Sequence, residues 1–276
     1  MRGVSRLGIP CVARISTALR DAVIPGLCSV TFRALDVDAI ARLAATCRLS
    51  GIEWGADVHV PPADVAAIAR ARAASSGLDY VSYGSYLLAA DAGVTGDEVA
   101  IVLDAAVELG ASHVRIWSPF GVEPGSPRAG EIVDRLRYVA SEAFERRLTV
   151  GIEYHGGTLT ATAASAAAIV DAVVAPNLSL YWQPPYWLGQ REIADDVDDV
   201  ATLGGRVSHL HVYEWTPAPD VERLPLAAGD ARWRAVLAAL EAPAVEPRVA
   251  FCEFVAGDDP AQLVADARTL HEWIGE

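Results

Sequence analysis

The chain has 276 residues and a formal net charge of −14, from 36 acidic and 22 basic residues. Because 52% of the residues are hydrophobic, a chain of this length can bury a large core, which excludes a disordered protein and a disulfide-held scaffold. The negative charge repels polyphosphate, so nucleic acid and anionic membranes are not expected partners.

All 22 basic residues are arginine. Schiff-base chemistry, attachment of pyridoxal phosphate and Walker-type phosphate binding each require a lysine amine. The absence of lysine therefore excludes these three classes of protein.

Residues 1–24 are predicted to form an N-terminal extension of unknown role. They carry four arginines around short apolar pieces and lack the continuous apolar stretch of a signal peptide. The four cysteines form no CxxC pair, so we expect reduced thiols that fill the core of a cytoplasmic protein. No run approaches the roughly 18 apolar residues of a membrane span.

From residue 25 to residue 276, short β-rich runs alternate with longer Ala-rich amphipathic runs, a pattern that predicts a parallel sheet. The predicted strands comprise residues 27–32, 51–54, 78–83, 112–117, 149–155, 178–183, 207–213 and 249–254. The predicted helices comprise residues 36–48, 63–76, 95–109, 129–147, 160–174, 191–204, 230–241 and 260–273. Asp36, Thr95 and Asp230 are predicted to cap helix starts.

Eight strands and eight helices without a linker predict a single-domain α/β protein, a (β/α)8 TIM barrel at residues 25–276. The alternative is an open, doubly wound sheet. It would carry a GxGxxG turn after the first strand, and none is present there.

Polar residues concentrate at the strand ends, where the reactive residues of such a barrel lie. Five of the six histidines fall on or just after the predicted strands: His59, His113, His155, His209 and His211. Two carboxylates, Glu153 and Glu253, stand inside runs that otherwise look like buried strand. Of the histidines, His113 and His209 are predicted to be structural.

Alternate residues of a strand share a face, so Glu153 and His155 face the same way on the fifth strand. Carboxylates buried on different strands need partners, and a divalent cation neutralises two at once. Glu153, Gln183, His211 and Glu253 are therefore predicted to bind Mn, Mg or Co, with Zn also acceptable. The structural alternative for either glutamate is a salt bridge to Arg115 on the fourth strand.

The runs GIEW, VGIEYHGGTLT, LYWQP, SHLHVYEW and AFCEFVAGDD follow one another in this order. With them, roughly residues 25–274 resemble the sugar phosphate isomerase/epimerase family of the xylose-isomerase-like barrel superfamily. That superfamily includes ketose 3-epimerases, which hold a metal through Glu, Asp, the second His of an HxH pair and Glu on strands five to eight. The resemblance carries these roles to Glu153, Gln183, His211 and Glu253.

The chain departs from the family pattern at three points. Where the family carries WDPxH, this chain carries WQPPY. Gln183 therefore replaces the acidic ligand and Tyr186 replaces the histidine, and weaker metal binding is expected. Pro217 stands where the epimerases carry a substrate-binding arginine, with Arg223 the nearest substitute. Without lysine, the hydride shift of true xylose isomerases is disfavoured, and proton transfer is the better mechanism.

The resemblance implies a metal-dependent sugar or polyol isomerase or epimerase that moves a proton through an enediolate, with Glu153 and Glu253 catalytic. The candidate substrate-binding residues are His59, Arg115, Trp117, His155, Tyr186 and Arg223. The alternatives are a metal-dependent hydrolase or lyase, and a sugar-binding barrel that has lost catalysis. The expected partner is a small sugar-like molecule, without phosphate because Asp258 and Asp259 occupy the last helix start. The sequence is also compatible with a homodimer.

Overall fold

The computed structural model describes residues 23–91, 93–216, 221–243, 245 and 247–275. The strands in these residues are β1 (Val23–Cys28), β2 (Gly51–Gly55), β3 (Tyr80–Leu88), β4 (His113–Trp117), β5 (Thr149–Glu153), β6 (Leu178–Trp182), β7 (Val207–Val212), β8 (Glu214–Trp215), β9 (Arg223–Leu224) and β10 (Arg248–Cys252). The strands β1 to β7 and β10 pair in parallel and close when β10 pairs with β1. The predicted (β/α)8 barrel is confirmed.

A helix follows each barrel strand. The helices are α1 (Val37–Thr46), α2 (Val65–Ala74), α3 (Gly96–Leu109), α4 (Ala129–Glu145), α5 (Ala163–Val173), α6 (Ile193–Leu203), α7 (Asp230–Ala239) and α8 (Pro260–Ile274). Within the described ranges, none of these helices is long and apolar enough to span a membrane.

Two of the three predicted helix caps are confirmed. The Asp36 carboxylate accepts the amide of Ala39 at 2.7 Å, and Thr95 forms a reciprocal capping box with Glu98. The prediction for Asp230 is wrong, because α7 begins at that residue and its carboxylate accepts from Arg234 and Trp273 instead. One partner, Arg234, lies on α7 itself and the other, Trp273, lies on α8. The Asp230 side chain therefore links α7 to α8.

The first barrel strand begins four residues earlier than predicted, at Val23, and residues 29–32 form a 3-10 turn. Pro25 and Gly26 resemble strand breakers in the sequence. In the barrel, the Pro25 carbonyl accepts the amide of Ser50, and Gly26 lies against the ring of Phe251. A Cβ at position 26 would stand 2.5 Å from Phe251 Cδ1, so the close packing requires glycine. Residues 23 and 24, predicted to be extension, thus belong to the barrel, and residues 1–22 lie outside the described ranges.

A short antiparallel hairpin, β8 with β9, follows β7. Its strands have two residues each, too few for a recognisable alternation in the sequence. The pairing places Trp215 opposite Arg223. Trp215 and Arg223 each contact Phe254, just after β10, so the hairpin packs beside the end of that strand.

The interior of the barrel contains two layers of side chains. The first, here called the ring layer, consists of Tyr80, His113, Tyr181, His209 and Phe251. The His209 ring stacks on Tyr181, with centroids 4.5 Å apart, and contacts the tilted ring of His113 at 3.9 Å. Two residues further along β4 and β7, the inward positions are Arg115 and His211, which belong to the second layer.

Candidate active site

The second layer, here called the charged layer, consists of Glu53, Arg115, Glu153, His211 and Glu253. They come from β2, β4, the end of β5, β7 and the residue after β10. None is more than 6% exposed. Because inward side chains near the carboxyl ends of parallel barrel strands converge, five residues far apart in the sequence meet in one buried cluster.

Arg115 bridges two carboxylates of the layer. Its Nε donates to Glu53 Oε1 at 3.0 Å, and its Nη1 donates to Glu153 Oε2. The guanidinium carbon lies 5.4 Å from the centre of the Tyr86 ring and 5.8 Å from that of Trp117. The structural alternative considered for Glu153, a salt bridge to Arg115, is therefore present.

His211 lies among all three carboxylates. Its Nε2 is 3.3 Å from Glu53 Oε1, and its Nδ1 is 3.4 Å from Glu253 Oε2 and 3.8 Å from Glu153 Oε1. The Cys28 thiol at the end of β1 reaches the same group, with Sγ 3.4 Å from Glu53 Oε1 and 3.9 Å from Glu253 Oε1. The cluster thus combines oxygen, nitrogen and sulfur donors.

These surroundings shift the pKa values of the glutamates and the histidine in the charged layer. Burial raises the pKa of Glu253 to about 7, with the charges of Glu153 and Glu53 adding to the effect. Burial alone would lower the pKa of His211, but Glu253 and Glu53 outweigh it and raise this pKa to about 9. Burial would raise the pKa of Glu53, yet Arg115 and His211 hold it well below its usual range. Glu253 is therefore placed to exchange a proton near neutral pH.

Gln183 follows β6 and supports Glu153. Its Nε2 donates to Glu153 Oε1 at 3.0 Å and to the Tyr154 carbonyl at 2.8 Å. Its amide oxygen accepts the Tyr213 hydroxyl at 3.2 Å. In this orientation the amide presents its nitrogen, and not its oxygen, to the charged layer.

Three buried polar atoms of the layer have no hydrogen-bond partner among the described residues. They are Glu53 Oε2, His211 Nδ1 and Glu253 Oε2. His211 Nδ1 and Glu253 Oε2 lie 3.4 Å apart, yet their orientation does not form a hydrogen bond. Buried polar atoms normally have hydrogen-bond partners. A nitrogen and an oxygen that lack them are suited to bind a cation between them as its ligands. The residues present are therefore compatible with the divalent metal that the family pattern implies.

One aromatic wall of the barrel mouth is built from Trp117, His155 and Trp187. The His155 ring stacks on Trp117 with centroids 4.9 Å apart and an interplanar angle of 26°, and on Trp187 at 5.7 Å and 19°. His155 lies just after β5 and its Nδ1 contacts the Gly156 carbonyl. Two residues predicted to bind substrate, Trp117 and His155, thus occur side by side.

The adjoining group of rings contains Tyr186 and Trp215, with centroids 4.6 Å apart, and Tyr186 meets Trp187 edge-on at 5.3 Å. A cavity of about 250 Å³ adjoins them and reaches Tyr213. Arg223 pairs with Asp258 and lies over the Phe254 ring at 5.1 Å. The predicted substrate residues Tyr186 and Arg223 therefore belong to one side of the mouth, with the charge of Arg223 already matched.

His59 is held by the loop that follows β1. Its Nδ1 is 3.0 Å from Ser29 Oγ, and its Nε2 is 3.2 Å from the Leu35 carbonyl. Both ring nitrogens are engaged and the residue is 7% exposed. These contacts suit a residue that fixes the loop after β2.

Two members of the cluster, Glu53 and Cys28, were not predicted from the sequence. Glu53 occurs in GIEW, a carboxylate inside a buried run like those around Glu153 and Glu253, so the same pattern could have identified it. Its neighbour Gly84 leaves room for it, because a Cβ there would stand 2.7 Å from Glu53 Oε1. Cys28 lies in a stretch predicted as ordinary strand, and only its register opposite Glu53 reveals its position.

Comparisons with solved structures find the same fold at low sequence identity. The probable 3-DHS dehydratase AsbF of Bacillus anthracis matches with a TM-score of 0.68 and 18% identity, over 89% of this chain and 97% of that one. A D-psicose 3-epimerase, solved in the presence of D-fructose, matches with a TM-score of 0.65 and 18% identity, over 91% and 99%. A xylose isomerase-like barrel protein of Mycobacterium smegmatis, solved with magnesium, matches with a TM-score of 0.65 and 15% identity, over 88% and 90%.

A search of proteins of curated function found no match. A family model described as xylose isomerase-like TIM barrel matches residues 41–274, which is most of the barrel. The closed eight-stranded sheet and the charged layer at its carboxyl end agree with that assignment. The chain belongs to the xylose isomerase-like TIM barrel family.

Proposed function

We propose that this protein is a metal-dependent isomerase or epimerase of a sugar or related polyol, acting by proton transfer. The observation that carries the proposal is the meeting of Glu153, Glu253 and His211 in one buried cluster at the carboxyl end of the barrel. Epimerases among the structural neighbours support it.

The metal would be held by His211 and Glu253, whose unpartnered Nδ1 and Oε2 face each other, with Glu153 Oε1 beside them. Gln183, the fourth predicted ligand, would serve by holding Glu153 through its Nε2. When bound, a divalent cation polarises a substrate carbonyl and acidifies the neighbouring C–H.

Glu153 and Glu253 are the proposed acid and base. They project from β5 and from the end of β10, so they reach the centre of the barrel from separate strands, as proton transfer on two faces of a carbon requires. Arg115 and Gln183 hold Glu153 in one orientation.

The aromatic rings of the mouth, among them Trp117, His155 and Tyr186, provide flat apolar surfaces for the C–H faces of a sugar. Arg223 is paired with Asp258, so the mouth has no unmatched cation there for a phosphate. A free sugar or polyol is therefore the proposed substrate, contacted by Trp117, His155 and Tyr186.

A lyase is the second candidate function. The dehydratase neighbour shares the fold over nearly its whole length, and the same cluster could remove a proton next to a leaving hydroxyl. The two reactions share the first proton transfer and differ in whether a C–O bond then breaks.

The test is a turnover screen of free ketoses, inositols and their phosphate esters on chelator-treated protein, with Mn²⁺, Co²⁺, Zn²⁺ or Mg²⁺ restored. In D₂O, an epimerase substrate should gain deuterium at one carbon without loss of water, whereas a lyase substrate should yield a dehydrated product. Activity that survives metal removal would contradict the metal dependence. Binding of sugars with no turnover under any metal would favour a barrel that has lost catalysis.

A further inference from the structure

Cys28 ends β1 and touches the charged layer directly. One part of its surroundings is the ring layer, where it packs with Tyr181 and Phe251. Its Sγ also faces the carboxylates of Glu53 and Glu253, at 3.4 Å and 3.9 Å. A thiol that only filled space would not need two carboxylate neighbours, so its position requires a further explanation.

The side chains around Cys28 lie close enough together to share one metal ion. The sulfur, a His211 ring nitrogen and a Glu253 oxygen lie within 4.8 Å of one another. With metal–ligand bonds of about 2.0–2.3 Å, a tetrahedral angle places sulfur and oxygen about 3.6 Å apart and nitrogen and oxygen about 3.4 Å apart. In the structure Sγ lies 3.9 Å from Glu253 Oε1 and His211 Nδ1 lies 3.4 Å from Glu253 Oε2, so each of the two groups faces a different oxygen of the same carboxylate at a similar distance.

A second observation is independent of the cysteine. His211 Nδ1 and Glu253 Oε2 are buried and have no hydrogen-bond partner in the part of the chain that the structure describes. By contrast, both ends of the Gln183 amide are occupied, by Glu153 and Tyr154 at the nitrogen and by Tyr213 at the oxygen. The free ligand atoms are therefore His211 Nδ1 and Glu253 Oε2, whereas the Gln183 amide has no free atom to offer a metal.

We propose that Cys28, His211 and Glu253 are the protein ligands of the metal, with Cys28 in the place that the sequence predicts for Gln183. The inference rests on the proposed metal dependence and identifies the kind of metal. On binding, the Cys28 thiol and the His211 imidazolium each give up a proton to solvent, and the thiolate and the neutral imidazole form the bonds to the cation. Three protein ligands are typical of catalytic zinc sites, and a soft thiolate favours Zn²⁺ or Co²⁺ over Mg²⁺.

The test is an optical titration of the chelator-treated full chain with Co²⁺. We expect a thiolate-to-cobalt charge-transfer band in the near ultraviolet that saturates at one Co²⁺ per chain. Cys28→Ser should abolish the band and weaken Co²⁺ binding by about 100-fold or more, because even the loss of a residue that only supports a ligand costs about 10–100-fold. Cys47→Ser, which alters another buried thiol, should keep both the band and the affinity.

The outcomes separate this inference from the proposed function. Saturable Co²⁺ binding without the band in the unaltered protein would overturn the role of Cys28 and leave the metal dependence standing. A band that persists in Cys28→Ser would do the same. No Co²⁺ binding, together with turnover that resists chelation, would overturn the metal dependence itself. A larger thermal stabilisation by Mg²⁺ than by Zn²⁺ would overturn the preference for a soft metal.

Discussion

The ring layer and the charged layer occupy the same barrel, two residues apart along β4, β7 and the end of β10, and have opposite electrostatics. His209 stacks between neutral rings, and burial lowers its pKa well below the usual range. His211 lies among carboxylates that raise its pKa to about 9. Burial acts on both histidines in the same direction, so the neighbours alone decide which one carries a charge.

This difference indicates that the two layers have different roles, one in packing and the other in chemistry. The ring layer fills the barrel with uncharged, stacked side chains, whereas the charged layer holds groups that are costly to bury unless they are paired. Substitutions in the charged layer should therefore alter chemistry and charge balance, and substitutions in the ring layer should alter packing.

The largest expected effect is on catalysis. Glu153→Gln keeps the shape of the side chain but removes its charge, so it should lower kcat by about 10²–10⁴-fold in steady-state assays. The matched ring-layer variant is Tyr80→Phe, which loses only the hydroxyl group and, with it, contacts that include His209 at 3.0 Å. It should cost about 1 kcal/mol of stability with little change in kcat. Equal losses of kcat in both variants would contradict the division between the layers.

The next largest effect is on stability. Arg115→Met leaves Glu53 and Glu153 buried without their shared cation, and should lower the free energy of unfolding by about 3–5 kcal/mol in urea titrations of metal-free protein. Adding Glu53→Gln should restore part of the loss, because one buried charge is then removed. An additive, larger loss in the double variant would show that Arg115 does not balance these carboxylates.

A smaller effect depends on pH and comes from the ring layer. Burial lowers the pKa of His113 to about 3, whereas an unfolded histidine has a pKa of about 6.5. Below pH 6.5 the unfolded chain therefore binds the extra proton, and the stability contributed by this site falls by about 1.4 kcal/mol per pH unit. Between pH 6 and pH 4, His113→Gln should lose less stability than the unaltered protein in matched urea titrations. Parallel pH profiles would contradict a neutral His113.

The smallest effect on stability and turnover is expected at the mouth of the barrel. The pair of Arg223 and Asp258 is partly exposed, with side chains 38% and 60% accessible, so Arg223→Ala should change stability by less than about 1 kcal/mol. It should also leave kcat/KM for a free sugar nearly unchanged. A selective loss of turnover on a phosphorylated sugar would instead assign Arg223 to phosphate binding.

The fold could be predicted because strands and helices alternate with clear periodicity over the whole barrel. The error at β1 has a local cause, since Pro25 and Gly26 are turn residues in most contexts and belong here to a strand packed against Phe251. The hairpin of β8 and β9 was missed because two-residue strands carry no period.

The site was predictable only in part. Carboxylates in apolar runs revealed Glu153 and Glu253, and Arg115 was foreseen as a salt-bridge partner. The contacts of Gln183 could not be foreseen, because the neighbours Tyr213 and Glu153 decide which end of the amide faces the cluster. Cys28 could not be distinguished from a core thiol before the register of β1 against β2 was known.

The salt bridges that Arg115 forms with Glu53 and Glu153 affect whether the chain folds before or after it binds a metal. In small zinc domains the ion is needed for folding, because the ligands have no other partners. Here Arg115 and His211 already offset Glu53 and Glu153, so the barrel can complete its folding before any ion arrives. Under the proposed metal dependence, loading would be a separate, later event, and the supply of metal, rather than the yield of folded chains, would set the fraction of molecules that are active.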